Sequence, residues 1–114
     1  MGNKIILPWF SKDVSPNARV HWAKAHKAKQ QHRELAKIYT RNANIDLQGR
    51  DKVHLSFTFY PPSRRRTDVD NCLAGCKAYI DGIADALDID DSNFSMQIKM
   101  GEDQYNGTIE VCIG

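Results

Sequence analysis

Val53-His54-Leu55-Ser56-Phe57-Thr58-Phe59-Tyr60, closed by Pro61-Pro62, is the stretch on which the fold turns. Val53, Leu55, Phe57 and Phe59 alternate with His54, Ser56 and Thr58, the period of a strand with one covered and one open face. Two prolines in succession cannot continue a ladder and end the strand. Toward the N-terminus, residues 44–50 read as a loop containing Gly49, and no Gly or Pro interrupts 21–42 before it. That segment predicts a long helix. Its inner stripe is Trp22, Ala25, Ala28, Leu35, Ile38 and Tyr39, and its outer face carries Lys24, Lys27, Lys29, Arg33, Lys37 and Arg41. Ser15-Pro16-Asn17 is a turn, and residues 4–10 are a short edge strand ending near Pro8.

Toward the C-terminus, Asp70 or Asn71 can cap a second helix that runs to about residue 87, with Leu73, Cys76, Ile80, Ile83 and Leu87 facing inward. Asp88 opens a turn. Phe94–Met100 and Thr108–Ile113 follow as strands, joined through 101–107 as a hairpin. The order β-α-β-α-β-β predicts an α+β fold: a single domain over 1–114, with a mixed, partly antiparallel sheet and two helices.

A chain of 114 residues supports one modest core. The net charge of +2 does not by itself point to nucleic acid, but its distribution does. Basic residues crowd residues 19–41, where Glu34 is the lone acid, and Arg64, Arg65 and Arg66 form a second knot. The acids gather over 68–91. Three cysteines are an odd count that cannot close a disulfide framework, and Cys72 and Cys76 read as small buried apolar groups. The opening residues are too short and too soon polar for a secretory signal, and no apolar run reaches the length of a membrane span. A cytoplasmic protein with no membrane partner is expected.

The chemistry concentrates in Arg64-Arg65-Arg66-Thr67-Asp68-Val69-Asp70-Asn71 and in Asp90-Asp91. Carboxylates clustered near a helix start repel one another and invite a hard cation, and magnesium takes oxygen ligands of this kind. Cations beside them can hold phosphate, and metal-assisted phosphodiester hydrolysis needs that pairing. Lys77 lies seven residues beyond Asp70, close to two helical turns, and so shares its face, with Asp81 four residues further on. It can neutralise charge on a transition state or form an ordinary surface pair with Asp81. Asp-x-Asp-Asn and Asp-Asp-Ser-Asn are also common turn and cap compositions. An EF-hand loop beginning at Asp88 is excluded, because Asn93 and Lys99 stand where Gly and Glu are required.

The run RRRTDVDNCLAGCKAYIDGIADALDIDDSNF, residues 64–94, resembles the RusA family of Holliday junction resolvases, common in phages and prophages. Ser15-Pro16-Asn17, Arg19-Val20-His21-Trp22 and the basic helix are similar to the opening of many phage-type members. The resemblance implies that Asp68, Asp70 and Asp91 are catalytic carboxylates holding Mg2+ or Mn2+, with Asp90 the rival of Asp91, and that Lys77 is the catalytic lysine. It implies paired nicking of four-way DNA junctions by a homodimer. Better-known members carry the lysine four residues after the second Asp rather than seven. The three extra residues leave Lys77 within about 60° of the same face but about 4.5 Å further along the axis. Arg64, Arg65, Arg66, Arg19, Lys24, Lys27 and Arg33 are the expected DNA contacts. Two other readings stay open: a non-catalytic module that binds branched or single-stranded DNA, and a generic metal nuclease acting on flaps or single strands.

Overall fold

In the computed structural model, which describes residues 3–14, 21–63, 69–101 and 105–114, four strands form one mixed sheet in the order β1-β4-β2-β3. The strands are β1 (Lys4–Pro8), β2 (Val53–Tyr60), β3 (Phe94–Met100) and β4 (Thr108–Ile113). The helices are α1 (Trp22–Asn42), α2 (Val69–Gly75) and α3 (Lys77–Leu87), with 3-10 turns at Lys12–Val14 and Asp91–Asn93. This is the expected α+β architecture, and a radius of gyration of 13.8 Å is what one compact domain of this length requires. Among the described residues no helix is long and apolar enough to cross a membrane.

β2 runs down the middle of the sheet. Val53, Leu55, Phe57 and Phe59 point into the core, each no more than 2% exposed. β4 pairs with β2 antiparallel, setting Leu55, Phe57 and Phe59 opposite Ile113, Val111 and Ile109. β1 pairs antiparallel with the other side of β4 and is the expected edge strand. β3 pairs with β2 in parallel. Parallel neighbours cannot be joined by a tight turn, and α2 and α3 supply the crossover.

Two sequence expectations are corrected here. β3 and β4 form no hairpin: the chain passes over β2, and β4 inserts between β1 and β2. The burial explains why, since Ile109, Val111 and Ile113 are as deeply covered as the β2 core set and need sheet on both sides. β3 by contrast has mostly exposed or half-exposed residues, as an edge strand should. The second helix is also divided. Cys76, at φ −90° and ψ 0°, separates α2 from α3, and α2 already begins at Val69, so Asp70 and Asn71 lie inside its first turn rather than capping it.

The inner face of α1 is made of small residues. Ala28, Ala36 and Thr40 are buried, whereas Trp22, Ile38 and Tyr39, expected inside, are exposed. Thr40 is tolerated because its hydroxyl donates to the Ala36 carbonyl at 2.7 Å. Small residues let α1 lie close on α3. A Cβ at Gly82 would collide with the Arg33 carbonyl oxygen and come within 2.9 Å of the Ala36 Cβ. Arg33 fastens the same crossing with a bidentate pair to Asp85 at 2.6 and 2.8 Å.

His32 pins the β1 end of the domain to both helices. Its Nε2 accepts the Ser11 N–H at 2.9 Å, and its Nδ1–H donates to the Ala28 carbonyl at 2.8 Å. The ring stacks on Tyr79 at 4.8 Å, and the Tyr79 hydroxyl donates to the Pro8 carbonyl at 2.9 Å. Burial lowers the His32 pKa against a smaller opposing effect of the Ala28 hydrogen bond. A depressed folded-state pKa contributes stability above the ordinary value of 6.5 that is lost as pH falls through the lowered value.

Two outcomes follow for stability. Gly82→Ala, which helix propensity alone would favour by about 1 kcal/mol, should lower the unfolding free energy by a net ~1–3 kcal/mol, read as a lower denaturation midpoint, because the clash is with backbone. An unchanged midpoint would mean that the two helices can part freely. The melting temperature should fall between about pH 7 and pH 5 by more in the parent than in His32→Gln. Equal slopes would remove His32 from the acid response.

Candidate active site

The edge strand β3, the α2–α3 pair and the N-terminal half of α1 enclose a cleft of about 980 Å³. α2 contributes Asp70, α3 contributes Lys77 and Asp81, and the 3-10 turn after α3 contributes Asp91. The opposite wall is α1, with Lys29 and Arg33. Met96 of β3 and Asp13 also line it.

Local geometry explains how Asp91 arrives there. Asp88 ends α3 in the left-handed conformation, φ 54°, and its N–H closes on the Ala84 carbonyl. A short polar residue accepts that backbone more readily than a branched one. The chain reverses, Asp90 takes an extended conformation, and Asp91 becomes the first residue of the 3-10 turn. Lys77 lies within its reach: the Lys77 Nζ donates to Asp91 Oδ2 at 3.0 Å and to Asp81 Oδ1 at 2.8 Å.

The ordinary helical pair between Lys77 and Asp81 is therefore present, and a second, long-range pair is added to it. The Asp81 carboxylate first, and Asp91 next, hold the Lys77 ammonium above its usual pKa. Lys77 in turn holds the Asp91 carboxyl below the usual carboxylate range, chiefly through the hydrogen bond. A lowered carboxyl pKa is favourable above the ordinary 3.8 and is lost as pH falls through the lowered value. A raised lysine pKa is favourable below 10.5 and is lost as pH rises through the raised value. The contact keeps both charges across the whole neutral range. All three side chains are exposed enough for solvent to screen the attraction, so its worth is positional more than energetic.

Asp70 and Asp91, expected together from sequence, line the same cleft, and so does Lys77, although the single helix thought to align Lys77 with Asp70 is broken at Cys76. Asp90 lies instead in a neighbouring polar groove and accepts a hydrogen bond from the Ser92 hydroxyl at 2.8 Å. Asp68, Arg64, Arg65, Arg66 and Arg19 fall outside the described residues, as does Ser15-Pro16-Asn17. Lys24 and Lys27 are exposed on α1, with Lys24 4.0 Å from Asp13. Arg33, expected to contact DNA, has its guanidinium engaged by Asp85. Sequence reasoning left Asp13, Lys29 and Met96 out of the site. Lys29 was visible as part of the basic helix, whereas nothing in the pattern marks Asp13 or Met96.

Among the described residues no group of three His, Cys, Asp or Glu side chains is placed to hold one ion. Asp70 and Asp91 provide carboxylate oxygens at the cleft, the donor chemistry a hard cation such as Mg2+ takes.

No protein-family model matches the chain. It is 50% identical over 113 residues to a protein of Xylella fastidiosa (strain Temecula1) described as an uncharacterized protein. The match spans 96% of this chain and 74% of that protein, and the chain belongs to the same family.

Replacing Lys77 with Met should leave the fold intact and raise the pKa of Asp91 toward its ordinary value, read by carboxyl NMR titration. An unmoved Asp91 titration would show that Lys77 does not govern that carboxylate in solution.

Proposed function

We propose that this chain is a magnesium-dependent endodeoxyribonuclease of the RusA type, cutting branched DNA at four-way junctions as a homodimer in the cytoplasm. The observation that carries the reading is the placing of Asp70, Asp91 and Lys77 on one wall of a cleft whose other wall is the basic helix α1. Two carboxylates from separate turns beside a fixed ammonium are what phosphodiester hydrolysis requires.

Asp70 and Asp91 would hold the ion, with Asp68 beside them in sequence as the third carboxylate that the family resemblance supplies. Bound Mg2+ or Mn2+ supplies Lewis-acid stabilisation of the phosphate and acidifies coordinated water. Lys77 contributes positive charge beside the scissile phosphate, where negative charge grows during displacement. Asp81 and Asp91 hold that ammonium by hydrogen bonds before substrate arrives, which reduces reorganisation during the reaction. Lys29 on the facing wall and the exposed Lys24 and Lys27 suit a phosphate track, because neutralising phosphates releases counterions. Arg64, Arg65 and Arg66, which precede α2 in sequence, are the further phosphate contacts expected of a protein of this type.

A non-catalytic module that grips branched DNA is favoured by one observation, the mutual satisfaction of Lys77, Asp81 and Asp91 without any ion. Thermal melting separates the two. Ion binding to the native state alone raises the midpoint in proportion to the logarithm of metal concentration. The nuclease reading expects that rise with Mg2+ or Mn2+ in the parent and its loss in an Asp70→Asn, Asp91→Asn double variant. It expects cutting of a four-way junction to fall by more than about a hundredfold in either single variant, with DNA binding retained. Parent-like cutting by Asp70→Asn would remove the site from the chemistry, and no melting response at millimolar metal would favour the binding module.

A further inference from the structure

Trp22 is 74% exposed, more than any other large apolar side chain among the described residues. An indole left in water forgoes a large burial gain and keeps its flat face open to a partner. It is the first residue of α1. The preceding His21 caps α1, its Nδ1 accepting the Ala23 N–H at 3.2 Å, and the His21 ring lies 5.5 Å from the indole at 34°.

Its place on the helix connects it to the cleft. Trp22, the adjacent Ala25 and His26, then Lys29 and Arg33 lie three or four residues apart from one turn to the next along one face of α1, and the last four line the cleft wall. Trp22 is the next position on that wall, about 4.5–6 Å beyond Ala25 and His26. The exposed Lys24 and Lys27 lie about 200° and 140° round the helix axis from Trp22, so the lysine on the indole's own face is Lys29. A flat aromatic face thus stands at the end of a cationic path leading to Asp70, Lys77 and Asp91.

We propose that Trp22 is a stacking platform for an unpaired nucleobase of DNA whose backbone follows α1 into the cleft. The inference rests on the nuclease reading and adds a recognition element to it. Any base offers a π-face to an indole, so the contact is indifferent to sequence. Lys29, on the same face of α1 about two turns along, is complementary to phosphate and would hold the strand close enough for the base to reach the ring. In an intact duplex both faces of each base are covered by their neighbours. A platform of this kind therefore selects single strands, forks and branch points whose bases have come unpaired over blunt duplex.

The test uses the full chain without divalent metal, so that binding is read without cutting. With Trp9 replaced by Phe, Trp22 is the remaining indole, and its emission is titrated with oligo-dT, a forked duplex and a blunt duplex. Affinities are measured in parallel for Trp22→Ala and Trp22→Phe, with circular dichroism and gel filtration on each variant. Quenching by oligo-dT and the fork is expected. Trp22→Ala should weaken both by about 5- to 100-fold, the size of one stacked base, leave blunt-duplex affinity unchanged, and be partly rescued by Phe. Parent-like affinity of Trp22→Ala for the fork would overturn the platform while leaving the nuclease reading in place. So would an equal loss on blunt duplex, or a loss that tracks dissociation of a dimer, which would make a second copy of the chain the occupant of the indole. Failure of the parent to bind either oligo-dT or the fork would overturn the platform, whereas the nuclease reading falls only if a four-way junction is neither bound nor cut.

Discussion

The close crossing of α1 over α3 is the constraint on which the remainder depends. There is no room for a Cβ at Gly82 against the Arg33 carbonyl, and Ala36 packs beside it. Any larger residue there would push the helices apart. Ala28, Ala36 and Thr40 on α1 are the matching requirement on the other side. Because the helices cross so tightly, the N-terminal half of α1 stands facing α2 and the turn after α3, and the space left between them is the cleft. The bidentate Arg33–Asp85 pair sits at the crossing and resists rotation about it. His32, held by Ser11 and Ala28 and stacked on Tyr79, ties that crossing to the end of β1.

The electrostatics of the cleft follow from this frame. Lys77 is the first residue of α3, and the reversal at Asp88 returns the chain so that Asp91 meets it. One ammonium thus joins a helix to the turn that follows it, and positions a carboxylate opposite a basic wall. The attraction is too exposed to stabilise the domain much, but it sets where charges lie. Arg33 shows the opposite allocation. Its charge is committed to Asp85, and Lys29 stands beside it on the α1 wall of the cleft.

Much of the fold was legible because it depends on local pattern. The strict alternation of residues 53–60 located β2 to the residue, and the unbroken 21–42 segment located α1. What was not legible depends on partners far away in sequence. A short glycine-containing connection reads as a hairpin, and only the depth of Ile109, Val111 and Ile113 reveals that β4 needs neighbours on both sides. The buried face of α1 was misjudged because large apolar residues usually mark it. Here close packing on α3 selects Ala and Thr, and Trp22, Ile38 and Tyr39 are left outside. In the candidate site, motif, spacing and resemblance named Asp70, Lys77 and Asp91, with Asp90 the rival of Asp91; that Lys77 meets Asp91 depends on a chain reversal at Asp88 that composition does not encode.

The central claim is that Asp70 and Asp91 share a divalent ion beside Lys77. A crystal soaked in Mn2+ and measured at the manganese absorption edge tests it most directly. The account predicts an anomalous peak in the cleft within coordination distance, about 2.0–2.3 Å, of carboxylate oxygens from both residues. A fully soaked crystal with no peak between them, or with the two side chains turned away from each other, would contradict it.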